Sequence, residues 1–179
     1  MERALAACAR ADASLEAVLA RACALALREH PRANSGYRDG QIELYARVNI
    51  GLVVASGEEL AAATIFDADT KGIDALTLEI AQLRSRIDEL THPERSGATF
   101  TLFAHEVPGV SWEVPLVWSG QAAALAAGSV RDAPVVSEGT LAAGQVMTLT
   151  LACDHRVLYG PVAARFLTRV KQLLEDGAL

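Results

Sequence analysis

The stretch MTLTLACDHRVLYGPVAARFLTRVKQLLE, Met147 to Glu175, carries the densest structural signal in the chain. From Gln145 to Ala152 the alternating apolar and β-branched residues read as its strongest strand. Cys153-Asp154-His155-Arg156 then interrupts the run with a short polar turn. Pro161 stands where a first helical turn accepts proline, because the N–H it lacks would have no partner there. Val162, Ala163, Phe166, Leu167, Val170, Leu173 and Leu174 recur at three- and four-residue steps and so share one helical face. A lone histidine between an aspartate and an arginine is ordinarily a surface or structural residue, so the segment alone defines a frame rather than an activity.

Nearer the N-terminus, Ser14 can cap a helix running to Glu29, although Ala17 occupies the N3 position that a capping-box acid would fill. Leu15, Val18, Leu19, Ala22, Cys23, Leu25 and Ala26 make a broad apolar face, and Pro31 fits the helix's end. Residues 2–10 also read as helix. Asn34 to Gly40 marks a turn, and Gln41 to Tyr45 a short strand. Val48 to Ala55, VNIGLVVA, has the nearly unbroken apolar character of a buried strand. A turn at 56–59 would let Leu60–Phe66 pair antiparallel with it, though the three alanines at 61–63 weaken that strand. Ile73, Leu76, Ile80, Leu83, Ile87 and Leu90 define an amphipathic helix that His92-Pro93 should end. Ala98–Phe103 reads as a strand, and the apolar loop after it holds Trp112 and Trp118. This order predicts an α/β domain, too uneven for a repeat or a simple doubly wound sheet. No glycine fingerprint for a dinucleotide or a P-loop is present.

Composition narrows the class further. A chain of 179 residues with 51% hydrophobic and 21% charged residues can bury a core. Aromatics are only 5%, so that core must be built from small and medium side chains. The formal charge of -6 argues against a nucleic-acid partner, which needs a concentrated basic surface. Cys8, Cys23 and Cys153 form no CxxC pair, so neither a structural metal site nor a redox dithiol is expected. With no signal-peptide pattern and no membrane-length apolar run, a reducing cytoplasmic setting is the expectation.

The Met147–Glu175 segment resembles the closing segment of the catalytic domain of dihydrolipoamide acyltransferases, the E2 components of 2-oxo acid dehydrogenase complexes. That family belongs with chloramphenicol acetyltransferase, and its strand, turn and helix carry a His-x-x-x-Asp-Gly motif. Here His155 to Gly160 stand at those positions. RACALALREHPRAN at 21–34, VNIGLVVASG, FDADTKGIDAL, GATFTL and GQAAALAAGSV extend the resemblance over residues 12–177, with 104–120 the poorest part. It implies a chloramphenicol acetyltransferase-like fold, a mixed sheet packed with helices. It also implies an N-terminally shortened domain over 12–179, preceded by a helical remnant at 1–11. No lipoyl-bearing domain is recognisable.

By the same resemblance His155 would take a proton from the thiol of coenzyme A or dihydrolipoamide, whose sulfur then attacks a thioester carbonyl. Imidazole and thiol differ modestly in ordinary pKa, about 6.5 against about 8.5, so the transfer is reasonable near neutrality. Coenzyme A would be the cosubstrate and no metal is implied. Two family positions are substituted. Tyr159 replaces the motif's acid, four residues after His155. Phe103 stands where a hydroxyl residue of the form TFTIS would donate to the oxyanion, 155 minus 103, or 52, residues before His155. Thr101 lies on the same strand face, and Ser111 or Ser119 could offer a hydroxyl from the altered loop. His105 and Glu106 could form a substitute polar pair, and Trp112 and Trp118 could line a pocket or a subunit contact. The family's trimeric cores imply a homotrimer, or a hetero-oligomer with an active paralogue. An inactive structural or regulatory subunit is the alternative to a divergent acyltransferase.

Overall fold

The computed structural model describes residues 13–56, 59–104, 108–137, 139–177 and 179. The helix expected over residues 2–10, with Cys8, lies outside them. The first described helix, α1, is Leu15–Glu29, and Ser14 caps it by accepting the Ala17 N–H at 3.2 Å. Its alanine-rich surface lets it lie deep in the protein: Ala17, Val18, Leu19, Ala20, Ala22, Cys23, Ala24, Ala26 and Leu27 are all buried. Small side chains allow neighbours to approach closely on several sides, which is how a chain so poor in aromatics closes its core.

Asn34 to Gly40 is not one turn. Ser35–Arg38 forms a strand, β1, paired antiparallel with β2, Gln41–Leu44. Only Asp39 and Gly40 turn, at φ values of 50° and 81°, as a two-residue hairpin demands. The Asp-Gly pair is the signal that a longer turn assignment overlooks.

Strand β3, Ile50–Ser56, pairs antiparallel with β4, Glu59–Ile65, as the sequence suggests, alanines included. Strand β5, Phe100–Phe103, runs parallel to β3 and to β6, Ala123–Ala127. Helix α2, Ile73–Ser85, stops before Ile87, and a 3-10 turn at Ile87–Glu89 carries the chain on. His92-Pro93 opens a helix rather than ending one. In α3, His92–Ser96, the proline occupies the first turn and Thr91 and Glu94 form a capping box.

Gln145 to Ala152 divides into two strands. Strand β7, Arg131–Ser137, pairs with β8, Thr140–Val146, in a separate two-stranded sheet. After Met147-Thr148 the chain enters the central sheet as β9, Leu149–Cys153, antiparallel to β6, which gives that sheet the order β4-β3-β5-β6-β9. Both halves favour extended backbone, so propensity alone does not reveal that they belong to different sheets. Helix α4, Gly160–Asp176, then buries Ala163, Phe166, Val170, Leu173 and Leu174, the face read from the sequence.

The helices cover one sheet face. Ile50 and Leu52, Phe100 and Leu102, and Ala123, Leu125 and Ala127 share a cluster with α1 and α4. Phe166 stands edge-on to Phe100 at 5.6 Å, and burying a phenylalanine of this kind contributes roughly 1.5–3 kcal/mol. Alternation sends Thr101 and Phe103 to the opposite face.

Candidate functional site

The turn after β9 is tied together by Asp154. Its N–H donates to the Ala122 carbonyl at 2.8 Å, which carries the β6–β9 pairing one residue past Cys153. Its carbonyl accepts from Val157 and Leu158 at 3.0 and 2.9 Å, and these two neighbours are buried. Its carboxylate accepts the Arg156 N–H at 3.0 Å and the Arg156 guanidinium at 2.6–3.1 Å. Hydrogen bonding to Arg156 holds the Asp154 carboxyl below the ordinary carboxylate range. The Arg156 guanidinium in turn lies over the Tyr37 ring, 4.3 Å from its centroid. Tyr37 comes from β1, and no local pattern in the sequence announces that contact.

Asp154 and Arg156 are paired and Val157 and Leu158 buried, whereas His155 is exposed. Its ring meets Tyr159 edge-on, centroids 6.4 Å apart and planes at 67°. Among the described residues, neither the imidazole nor the phenol hydroxyl makes a hydrogen bond. Tyr159 is 47% exposed and is the N-cap of α4, with extended backbone and no side-chain cap bond. An aspartate there could accept from the first helical N–H groups; a phenol is poorly placed to do so.

Thr101 is not a spare hydroxyl. It is buried and donates to Gln121 Oε1 at 2.7 Å, while Gln121 Nε2 donates to the Ala98 carbonyl at 3.1 Å. Phe103 ends β5 in the row of Ala126 and Thr150. Asp154 stands in the row of Ala122. Four residues of rise, roughly 13 Å, separate the two rows within one chain, and His155 lies one residue further on.

The loop residues separate likewise. Trp118, Ser119, Gly120 and Gln121 join Tyr37, Cys153, Asp154 and Arg156 around a cavity of about 290 Å³ beside the turn. Tyr45 Oη holds that loop by donating to the Gly120 carbonyl at 2.6 Å. Gly36 is required beneath it, because a Cβ there would lie 2.5 Å from the Gly120 oxygen. Ser111 and Trp112 instead run against Gly128, past the far end of β6, and Trp112 is 62% exposed. That is six residues of rise from Ala122, roughly 20 Å, so Ser111 cannot serve a group at His155 in the same chain. His105 and Glu106 lie outside the described residues. Burial pushes the Cys23 thiol up to about 12, as a structural thiol requires. Among the described residues there is no cluster of potential metal ligands and no helix long and apolar enough to cross a membrane.

A strand–turn–helix carrying an exposed histidine, set on a mixed five-stranded sheet, is the frame in which comparison with known proteins becomes informative. The profile of the 2-oxoacid dehydrogenases acyltransferase (catalytic domain) family matches residues 2–179. The chain belongs to this acyltransferase family. The lipoamide acyltransferase component of the branched-chain alpha-keto acid dehydrogenase complex of Bacillus subtilis is 35% identical over 163 residues, 89% of this chain and 38% of that protein. The acyltransferase domain thus spans well under half the length of the curated relatives it matches. Among solved structures, Azotobacter vinelandii dihydrolipoamide acetyltransferase superposes with a TM-score of 0.89 at 29% identity, over 97% of this chain and 75% of that one. It was studied for the role of a serine, a histidine and an asparagine in its catalytic mechanism. A probable dihydrolipoamide acetyltransferase of Listeria monocytogenes gives 0.85 at 31% identity, over 91% and 70%. A chloramphenicol acetyltransferase shares the fold at 0.59 and 18% identity. The fold expected from the sequence is the one observed.

Proposed function

We propose that this domain transfers acyl groups between the thiols of coenzyme A and a dihydrolipoyl group, with His155 as the base. The observation that carries the reading is the turn itself. From Asp154 to Leu158 every other residue is hydrogen-bonded through its side chain or buried, while the imidazole is exposed and makes no hydrogen bond among the described residues. Spacing supports it: the 52-residue interval from Phe103 to His155 and the four residues from His155 to Tyr159 recur between the serine, histidine and asparagine of the Azotobacter enzyme.

In the reaction, a His155 ring nitrogen accepts the proton of the attacking thiol, and the sulfur forms a bond to the thioester carbonyl carbon. The carbonyl electron pair moves onto oxygen. Collapse of that tetrahedral species re-forms the carbonyl and expels the other sulfur, which takes the proton back from the imidazolium. The separation of Phe103 from His155 within one chain suits a site walled by two subunits, so a homotrimer is the assembly we favour. Cys23 and Cys153 as free thiols suit a reducing, cytoplasmic setting.

The test is acyl exchange between acetyl-coenzyme A and dihydrolipoamide. His155→Ala should lower turnover by about 10²–10⁴, the usual worth of a general base. Equal rates in the two proteins would reject the reading. One observation favours a second function, an inactive subunit that assembles with an active paralogue: the oxyanion position is a phenylalanine. Absence of exchange, together with recovery of a paralogue in stable complex, would establish that alternative.

A further inference from the structure

We propose that the Tyr159 hydroxyl is the oxyanion donor of this site, a role that deepens and rests on the acyl-transfer reading. The tetrahedral species places negative charge on the former carbonyl oxygen, and a fixed donor there is worth about 10²–10³ in turnover. Phe103 has no O–H to give. Thr101 has one, but its proton is committed to Gln121 inside the sheet. Ser111 lies at the far end of β6, beside Gly128, so it could approach this turn only from a neighbouring subunit and is kept as a control below. Ser119 faces the cavity of Trp118, Asp154 and Arg156, whose lining does not include His155.

Tyr159 is the hydroxyl-bearing residue in ring contact with the base. The 6.4 Å between ring centroids, with the planes at 67°, sets the phenol ring beside the imidazole that takes the thiol proton, on the side where the carbonyl under attack must lie close to both residues. Its hydroxyl is uncommitted among the described residues, and its backbone is held by Val162 and Ala163, whose N–H groups donate to the Tyr159 carbonyl at 2.9 and 3.2 Å. The backbone of the residue is therefore anchored, and its hydroxyl is available to donate. Tyr159 also sits at the amino end of a helix of 17 residues, where the aligned peptide dipoles favour negative charge. The reaction balances as before: the thiol proton rests on His155, while the phenol proton stays on Tyr159 and is shared by hydrogen bond with the oxyanion. Collapse of the intermediate releases that bond unchanged. Loss of the strand-end hydroxyl and gain of the phenol are then one compensated exchange.

Tyr159→Phe removes a single oxygen atom and keeps the ring against His155. With acetyl-coenzyme A and dihydrolipoamide, kcat should fall by about 10²–10³ while KM for coenzyme A and the melting temperature stay at wild-type values. Wild-type kcat in Tyr159→Phe, beside a large loss in His155→Ala, overturns the donor and leaves the acyl-transfer reading standing. A loss that appears in Ser111→Ala or Ser119→Ala instead of Tyr159→Phe also overturns it. No exchange in wild type, or exchange indifferent to His155→Ala, overturns both readings. A fall in kcat accompanied by a lowered melting temperature assigns Tyr159 to the fold and overturns the donor.

Discussion

Thr101 shows what a residue's neighbours decide that its strand position does not. Strand alternation places it on the face of Phe103, and at that level it could pass for a replacement hydroxyl. What withdraws it is Gln121, twenty residues on, whose amide reaches across the parallel β5–β6 pair to close a buried chain from Thr101 to the Ala98 carbonyl. The partner lies beyond a loop of unrelated composition, so the sequence has no local mark of it. Thr101→Val keeps the shape and leaves Gln121 Oε1 without its donor in a buried setting. That should cost about 1–3 kcal/mol, read from the urea midpoint at constant m-value. A midpoint equal to wild type would show the bond to be replaceable. The turn that carries His155 was legible for the opposite reason: its flanking strand and helix are contiguous in sequence, and it needs few partners from elsewhere.

The elements were legible wherever one period governed a whole segment. Helix α4 follows from its spacing, since it packs along one face, and α1 and the β3–β4 pair follow from continuous apolar runs bounded by a cap or a turn. Misreadings fall where a junction matters more than a period. Gln145–Ala152 has one character but serves two sheets, and His92-Pro93 reads as a stop until Thr91 and Glu94 are seen to cap α3. That cap carries a pH signature. Hydrogen bonds from Arg86 first, then from the Thr91 hydroxyl and N–H, hold the Glu94 carboxyl down at about 2 from its ordinary value of 4.5. A carboxyl depressed in the folded state stabilises fully above its unfolded value, and the contribution fades as acid approaches the folded one. Folding stability should therefore fall between about pH 4.5 and about pH 2 through this group. Glu94→Gln should flatten that part of the stability profile while leaving its slope near neutrality alone. Parallel profiles for the two proteins through the acid window would remove Glu94 as a contributor.

The central sheet and its helices account for the core of the molecule, but the β7–β8 hairpin does not join it as a strand. A two-stranded sheet is marginal in water unless something packs on it. Here Val136 and Leu141 face each other across the hairpin and are each 74% exposed. Leu116 is 75% exposed, and Trp112 62%. Apolar side chains presented in this way are what an assembled protein covers. The separation of His155 from Phe103 within one chain suits the two-subunit site proposed above. We expect light scattering to give three times the chain mass of 18.9 kDa. Replacing the exposed pair by Val136→Lys with Leu141→Glu keeps opposite charges across the hairpin, which preserves its pairing while removing its apolar surface. If that surface is the contact, the double variant should run as a folded single chain, and acyl exchange should fall with it if the neighbouring subunit encloses the site. A wild-type mass retained by the variant would move the contact elsewhere on the chain. A monomeric variant with full exchange would show that His155 needs no neighbour.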